Sequence, residues 1–392
     1  MSDAGAPLAP GLLAWLRARR GEMVDVLAEL AAIESPSTDP AACASAADAL
    51  APRLAEVGMS VRPILAPGGG RHLLARPARP RPERYQLVLG HLDTVWPLGT
   101  LAQMPVRHDR DRLHGPGVYD MKGGLVQGVF ALAALGALGA PPPLAPVLLV
   151  NCDEEVGSPD STRHVRRLAS RARRCLVLEP AAEPRGALKT SRKAVGRYTV
   201  RVEGRAAHAG NEPERGASAI HALAELVQKL FALNDPADGV TVNVGTITGG
   251  LRPNVIAPSA EAEVEVRVFT DDHVRRLDRA LRALRSSDPA VTVHVDGAFG
   301  RPPYALGPGG QLLWRRAEAL AGELGFPLEQ VAAGGASDAN TAGAFTATLD
   351  GLGAVGGGAH AEHEHVLVDA MPERAALLAL LLLEPGAAEP AP

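Results

Sequence analysis

Residues 87–97 read Leu-Val-Leu-Gly-His-Leu-Asp-Thr-Val-Trp-Pro, and the rest of the chain is organised around them. The apolar run from Tyr85 to Leu89 predicts a short buried strand that Gly90 ends. His91 and Asp93 follow at a spacing of two, so in extended backbone both side chains face one space. In open α/β sheets that space, beyond the carboxyl ends of the strands, is where ligands bind. A carboxylate that orients an imidazole is the usual support of a metal-binding histidine. A surface His–Asp pair in a turn is the plain alternative for these two residues alone, and four later segments weigh against it.

Outward from this strand, the pattern repeats. Asp153-Glu154-Glu155 closes a strand predicted over 145–151, and Glu179-Pro180 closes another over 175–178. Asp120 stands between Gly115-Pro116-Gly117 and Gly123-Gly124, just before an apolar helix that runs to about residue 138. Glycines around a single acid predict close approach of backbone and ligand. Helical spacing covers 11–33 and 41–57, with short strands near 60–64 and 72–75 and a surface loop at 77–84. This alternation predicts an α/β fold, a mostly parallel sheet flanked by helices.

From about residue 194 the periodicity changes to strict alternation, as in Tyr198, Val200 and Val202. A helix over 213–232, strands near 240–248 and 260–269, a helix near 272–285 and a strand near 291–296 complete a ferredoxin-like α+β sandwich. Its sheet has one wet face and an edge to offer a partner. Helical patterns return near 309–325, 338–345 and 371–384. The expected organisation is a catalytic domain in two parts, 1–193 and 303–392, with a dimerisation domain inserted at 194–302.

Composition bounds the function. A chain of 392 residues exceeds one ordinary core, which predicts two domains. Apolar content of 46% with 21% charged residues describes a soluble globular protein, and only 3% aromatics leaves Ala, Val and Leu to fill its core. A net charge of −4 provides no basic balance for nucleic acid. The arginines from Arg163 to Arg174 read as a solvated helix face. The N-terminus lacks the order of a signal peptide, and the longest apolar run, Ala375 to Leu383, is too short for a bilayer. Three widely spaced cysteines suggest reduced thiols in a cytoplasmic protein, Cys152 being a small buried residue at a strand end. The tail beyond 385 reads as frayed.

His91, Asp120, Glu154, Glu155, Glu179 and His360 are scattered in sequence, yet most fall at predicted strand ends or helix starts on one rim. So much like charge in a partly desolvated cleft is costly without a counter-charge. Two divalent cations supply it: two neutral imidazoles, three carboxylates and one bridging hydroxide carry four negative charges against four positive. Mixed nitrogen and oxygen ligands suit zinc first, with manganese and cobalt as alternatives.

These residues carry a resemblance. Gly90-His91-Leu92-Asp93-Thr94-Val95, Gly115-Pro116-Gly117 with Asp120-Met121-Lys122-Gly123-Gly124, Asp153-Glu154-Glu155 with Gly157, Glu179-Pro180, His208-Ala209-Gly210, Asn254-Val255-Ile256, and His360 with Glu364 follow in order. The set resembles the di-zinc metallopeptidase family of glutamate carboxypeptidase, aminoacylase, acetylornithine deacetylase and succinyl-diaminopimelate desuccinylase. The Gly-rich 351–358 loop and Gly334-Gly335-Ala336-Ser337-Asp338 are most like its bacterial glutamate carboxypeptidase branch. The resemblance implies that Asp120 bridges two metals, that His91 and Glu179 hold one and Glu155 and His360 the other. It implies further that Asp93 orients His91, that Glu154 is the general base, and that the Asp120–Met121 peptide is cis. It implies a homodimer in which His208, with Asn254 nearby, reaches the partner's active site, while Arg267 and Arg301 grip a substrate carboxylate. Where the family often has Ser after the late histidine, Ala361 stands here, and His363 and His365 read as a surface cluster. Ser337-Asp338 reads as a loop or helix start near the pocket. The substrate implied is a small peptide or N-acyl amino acid, with a deacylase of the acetylornithine or desuccinylase type as the rival within catalysis. A non-catalytic binding relative is the rival outside it.

Overall fold

The computed structural model describes residues 8–78 and 84–385. Most of the loop predicted at 77–84, the N-terminal heptapeptide and the tail beyond 385 therefore lie outside the described residues. The chain divides into two compact units: one runs through Thr190 and resumes with Ala305–Ala333 and from Ser337, and the other comprises Ser191–Tyr304 with Gly334–Ala336.

In the first unit six strands lie in the order Met59–Leu65, Arg71–Pro77, Ala145–Asn151, Tyr85–His91, Cys175–Val177, Thr348–Leu349. The first two pairings are antiparallel, and the other three are parallel. Tyr85–His91 is buried along its whole length. A central parallel strand is covered on both faces, which is why its sequence is a continuous apolar run rather than an alternation. Helix Gly123–Ala137 packs on helix Ala370–Leu383, and both are apolar on nearly every side, as buried helices are.

Three readings of the sequence need correction. The helix expected over 11–33 is two helices, Leu8–Arg17 and Arg20–Ala31. At the break Arg19 donates its N–H to the Leu16 carbonyl (2.9 Å) and lays its guanidinium over the Trp15 ring at 3.8 Å. The first piece can then pack on the C-terminal helix while the second reaches the segment around Asp120. The helix expected from 213 begins at Ala219, where Ser218 caps the His221 N–H; Pro213–Arg215 is a separate 3₁₀ turn. Arg174 lies on no solvated face: it is buried, donating from Nε to Gln86 Oε1 (2.9 Å) and from Nη2 to the Glu384 carbonyl (2.6 Å).

The second unit is an antiparallel sheet in the order Thr241–Gly249, Ser259–Val268, Ala194–Glu203, Thr292–Arg301, with helices Ala219–Phe231 and Asp271–Arg282. That is the ferredoxin-like arrangement. Inward residues Tyr198, Val200, Val202, Ala262, Val264 and Val266 build its own core with Leu223, Leu226 and Leu230. Gly334–Ala336 joins this unit because Arg267 and Arg192 donate to the carbonyls of Gly334 (3.2 Å) and Gly335 (3.1 Å).

The glycines after Asp120 serve packing. A Cβ on Gly124 would lie 2.1 Å from the Leu178 carbonyl oxygen, and one on Gly353 would lie 2.2 Å from the same atom. The carbonyl before Glu179 is thus held between two backbones that only glycine allows. Gly124→Ala should cost about 1–3 kcal/mol through overpacking. Gly136→Ala, in the same helix with nothing within 4 Å of the added Cβ, should gain about 0.5–1 kcal/mol. Denaturant midpoints of the two variants test this, and equal midpoints would remove the packing argument.

Candidate metal centre

Each site residue sits where its element ends. His91 closes the central strand, and Glu154 and Glu155 lie in the turn after Ala145–Asn151. Glu179 lies two residues beyond Cys175–Val177. Asp120 lies in the turn Val118–Lys122, whose backbone leaves helical geometry at Asp120 and Met121, and the Asp120–Met121 peptide is cis. His360, in the loop between Gly356–Gly357 and His365–Leu367, has left-handed backbone at φ +61°.

The first unit brings these groups together as two triads that share one carboxylate. His91 Nε2 lies 3.2 Å from Asp120 Oδ1 and 3.6 Å from Glu179 Oε1. His360 Nε2 lies 3.6 Å from Asp120 Oδ2 and 3.1 Å from Glu155 Oε2. Asp120 therefore turns one oxygen to each histidine. The ligand atoms within each triad lie within 4.8 Å of one another. Ligands about 2.1 Å from a tetrahedral cation stand roughly 3.4 Å apart, so both triads fit a zinc-sized ion.

The electrostatics fit as well. Burial alone would push the His91 imidazole down, but hydrogen bonds to Asp120 and Asp93 and the charge of Glu154 hold it well above its ordinary value. The Glu155 hydrogen bond lifts His360 to about 9. Burial raises Glu155, whereas Asp120, although buried, is held near 2 by His91. The carboxylates thus call for positive charge, and both rings respond by holding protons more tightly than a free imidazole does.

Asp93 faces His91 Nδ1 with both its backbone carbonyl, at 3.0 Å, and its carboxylate Oδ1, at 3.5 Å. The carboxylate accepts from Glu154 N–H (3.2 Å), Glu155 N–H (3.0 Å) and Ser37 Oγ (2.7 Å). It therefore fixes the turn carrying both glutamates. Glu154 is 8% exposed and belongs to neither triad.

Other expected residues fall as follows. His365 pairs with His114, ring centroids 5.4 Å apart, and His363 is exposed. Ser337 caps helix Asp338–Gly343 in a capping box with Asn340. Asp338 is buried, accepting from Asn151 Nδ2 (2.5 Å) and Ser158 Oγ (2.6 Å). Cys152 is buried with its Sγ 3.4 Å from His72 Nδ1, and burial pushes its thiol up to about 12. In the second unit, His208 and Asn254 are exposed neighbours, joined by a bridge of His208 to Val255 and by Ala209 N–H to the Asn254 carbonyl (3.1 Å). Gly210 and Asn211 N–H groups both donate to His208 Nδ1 at 3.1 Å. Arg267 donates to Glu265 Oε1 (2.7 Å) besides Gly334, and Arg301 is buried at a strand end.

Two residues carry more than the sequence reading assigned them. Glu364 is 1% exposed and accepts from four N–H donors, those of Gly117 (3.0 Å), Tyr119 (2.9 Å), Asp120 (3.0 Å) and the Trp96 indole (3.0 Å). Its signal was the alternation Glu364, Val366, Val368, which sets the acid on the buried side. Lys122 is fully buried, its Nζ donating to the Ile33 carbonyl (2.8 Å), and burial pushes its ammonium down to about 8.

Residues 87–384 match the model of peptidase family M20/M25/M40. The chain belongs to this family. It is a metal-dependent amide hydrolase, as the motif resemblance implied. It is 29% identical to carboxypeptidase G2 of Pseudomonas sp., over 93% of this chain and 89% of that one. It is 28% identical to succinyl-diaminopimelate desuccinylase of Variovorax paradoxus, over 74% of this chain and 79% of the other. In fold it is similar to aminopeptidase PepT of Bacillus cereus (TM-score 0.76, 19% identity, 93% and 98% covered). It is also similar to a dinuclear metal-binding peptidase of family M20 from Bacillus subtilis (TM-score 0.69, 13% identity, 94% and 98% covered).

Because both rings hold protons that a metal must displace, cation uptake near pH 7 should release about two protons, and affinity should rise with pH. Calorimetric titration in buffers of different ionisation enthalpy measures that number, and zero release would contradict the imidazole assignment.

Proposed function

We propose that this chain is a dinuclear metallohydrolase of the glutamate carboxypeptidase type, cleaving the amide bond next to a free carboxylate in a dipeptide or N-acyl amino acid. The observation that carries this reading is the pair of triads sharing Asp120, with Glu154 beside them and in neither. His91, Asp120 and Glu179 hold one cation, and Asp120, Glu155 and His360 the other, zinc being the first expectation. Bound there, the cations supply Lewis acidity toward the substrate carbonyl and water activated near neutral pH. Glu154 takes the proton from the attacking water on its carboxylate and returns it to the leaving amine. Asp93 keeps Glu154 in place through the Glu154 N–H.

His208 is proposed as the donor to the developing oxyanion, with Asn254 beside it, delivered from a second copy of the chain. Its Nδ1 accepts two backbone N–H groups, so the neutral ring carries its proton on the outward Nε2. A homodimer is supported by the edge strand Thr241–Gly249 with Ile247 (58% exposed), Leu251 (70%) and Phe231 (71%), apolar groups that a second copy would cover. Arg267 and Arg301 are proposed for the substrate carboxylate, whose planar oxygens suit a guanidinium fork. Arg267 would exchange the Gly334 carbonyl for it. All three cysteines are free and buried, which supports a reducing compartment such as the cytoplasm. Among the described residues no helix is long and apolar enough to cross a membrane.

A deacylase of the desuccinylase type is the second reading, favoured by the similarity to that enzyme. One panel of N-acyl amino acids and dipeptides, run on apo enzyme and with added zinc, manganese or cobalt, separates the two. Hydrolysis of neither class by metal-loaded protein would overturn both readings. Glu154→Gln should retain two metals and lose roughly 10²–10⁴-fold in kcat; normal turnover would remove Glu154 from the chemistry. Sedimentation at assay concentration should find a dimer, and His208→Ala should lower kcat without dissociating it. A fully active monomer would refute a donated His208.

A further inference from the structure

Glu364 belongs to neither triad, and its surroundings define a task for it. We infer that Glu364 is the positioning residue that presents the Asp120 carboxylate to both metal triads. Its Oε1 accepts the N–H groups of Tyr119 and Asp120, and its Oε2 accepts those of Gly117 and the Trp96 indole. These contacts tie together three segments that carry the site: the stretch after His91 and Asp93, the turn ending in Asp120, and the loop from His360.

The backbone explains why a side chain is needed there. Asp120 (φ −115°, ψ 94°) and Met121 (φ −135°, ψ 31°) interrupt the helical geometry, so the amides on their N-terminal side are not held in a helical ladder. Three of them point into one buried carboxylate instead. An ionised carboxylate is an acceptor on every lone pair and so suits a nest of N–H groups. Glutamine offers one acceptor oxygen and sets an NH₂ group against the remaining donors. With the Asp120 amide fixed, its two carboxylate oxygens can point to His91 and His360 at once.

This inference rests on the reading that two cations share Asp120, and the test separates the two claims. Zinc affinity is measured on the full-length protein by chelator competition, with amide exchange followed over Gly117–Asp120. Glu364→Gln should bind zinc roughly 10–100-fold more weakly and exchange faster at those amides. Leu226→Ala, in the core of the other unit, should leave zinc affinity unchanged although it destabilises the protein. Trp96→Phe removes one donor alone and should show a smaller loss in the same direction. It decides the matter if Glu364→Gln does not fold. Two zinc ions bound as tightly by folded Glu364→Gln as by the wild type would overturn the inference alone, as would unchanged affinity in Trp96→Phe when only that variant folds. Faster exchange spread evenly over the whole unit would also overturn it. A wild-type protein that binds fewer than two zinc ions would sink the shared-Asp120 reading, and this inference with it.

Discussion

Convergent negative charge is the constraint on which the rest of this molecule depends. Asp120, Glu154, Glu155 and Glu179 come within reach of two imidazoles at one rim of a sheet, all but His360 largely out of water. Carboxylates so placed repel one another and lose hydration, and no arrangement of apolar packing compensates for that. Positive charge must enter the cluster. The carboxylates draw protons to the rings of His91 and His360, holding both above the ordinary imidazole value. A divalent cation in each triad would supply positive charge too, since one ion would meet three ligand atoms at once.

The scaffold supplies what such a cluster cannot supply for itself, which is position. The Leu178 carbonyl, held between Gly124 and Gly353, sets where the strand releases Glu179. Asp93 holds the amides of Glu154 and Glu155, and Glu364 holds those of Gly117, Tyr119 and Asp120. In each case a buried acceptor orders the backbone that carries a charged group, leaving the charged side chain to the site. Buried carboxylates accepting several N–H groups recur here because they tolerate desolvation when every lone pair has a donor.

Much of this was legible in the chain. The apolar run at 85–89 announced a central strand because a strand covered on both faces has no reason to alternate. The alternation in Tyr198, Val200 and Val202 announced a sheet with one wet face for the opposite reason. The acids stood out because each followed a predicted strand or opened a helix. Less legible were features set by partners distant in sequence. The break near Arg19 follows from what each helical piece packs on, and Arg174 is buried because Gln86 and the Glu384 carbonyl meet it.

By itself, then, the sequence determined which residue types lie at the ends of which strands, and with them the family and the chemistry, since local periodicity and charge are properties of neighbouring residues. Tertiary structure alone decided how those residues divide their work. Asp120 offers an oxygen to each triad, Asp93 reaches forward to the Glu154–Glu155 amides, and Glu364 closes on a turn 244 residues before it. Hydrogen bonds and metal-ligand distances are fixed in space to a few tenths of an ångström, and no spacing along a chain specifies that.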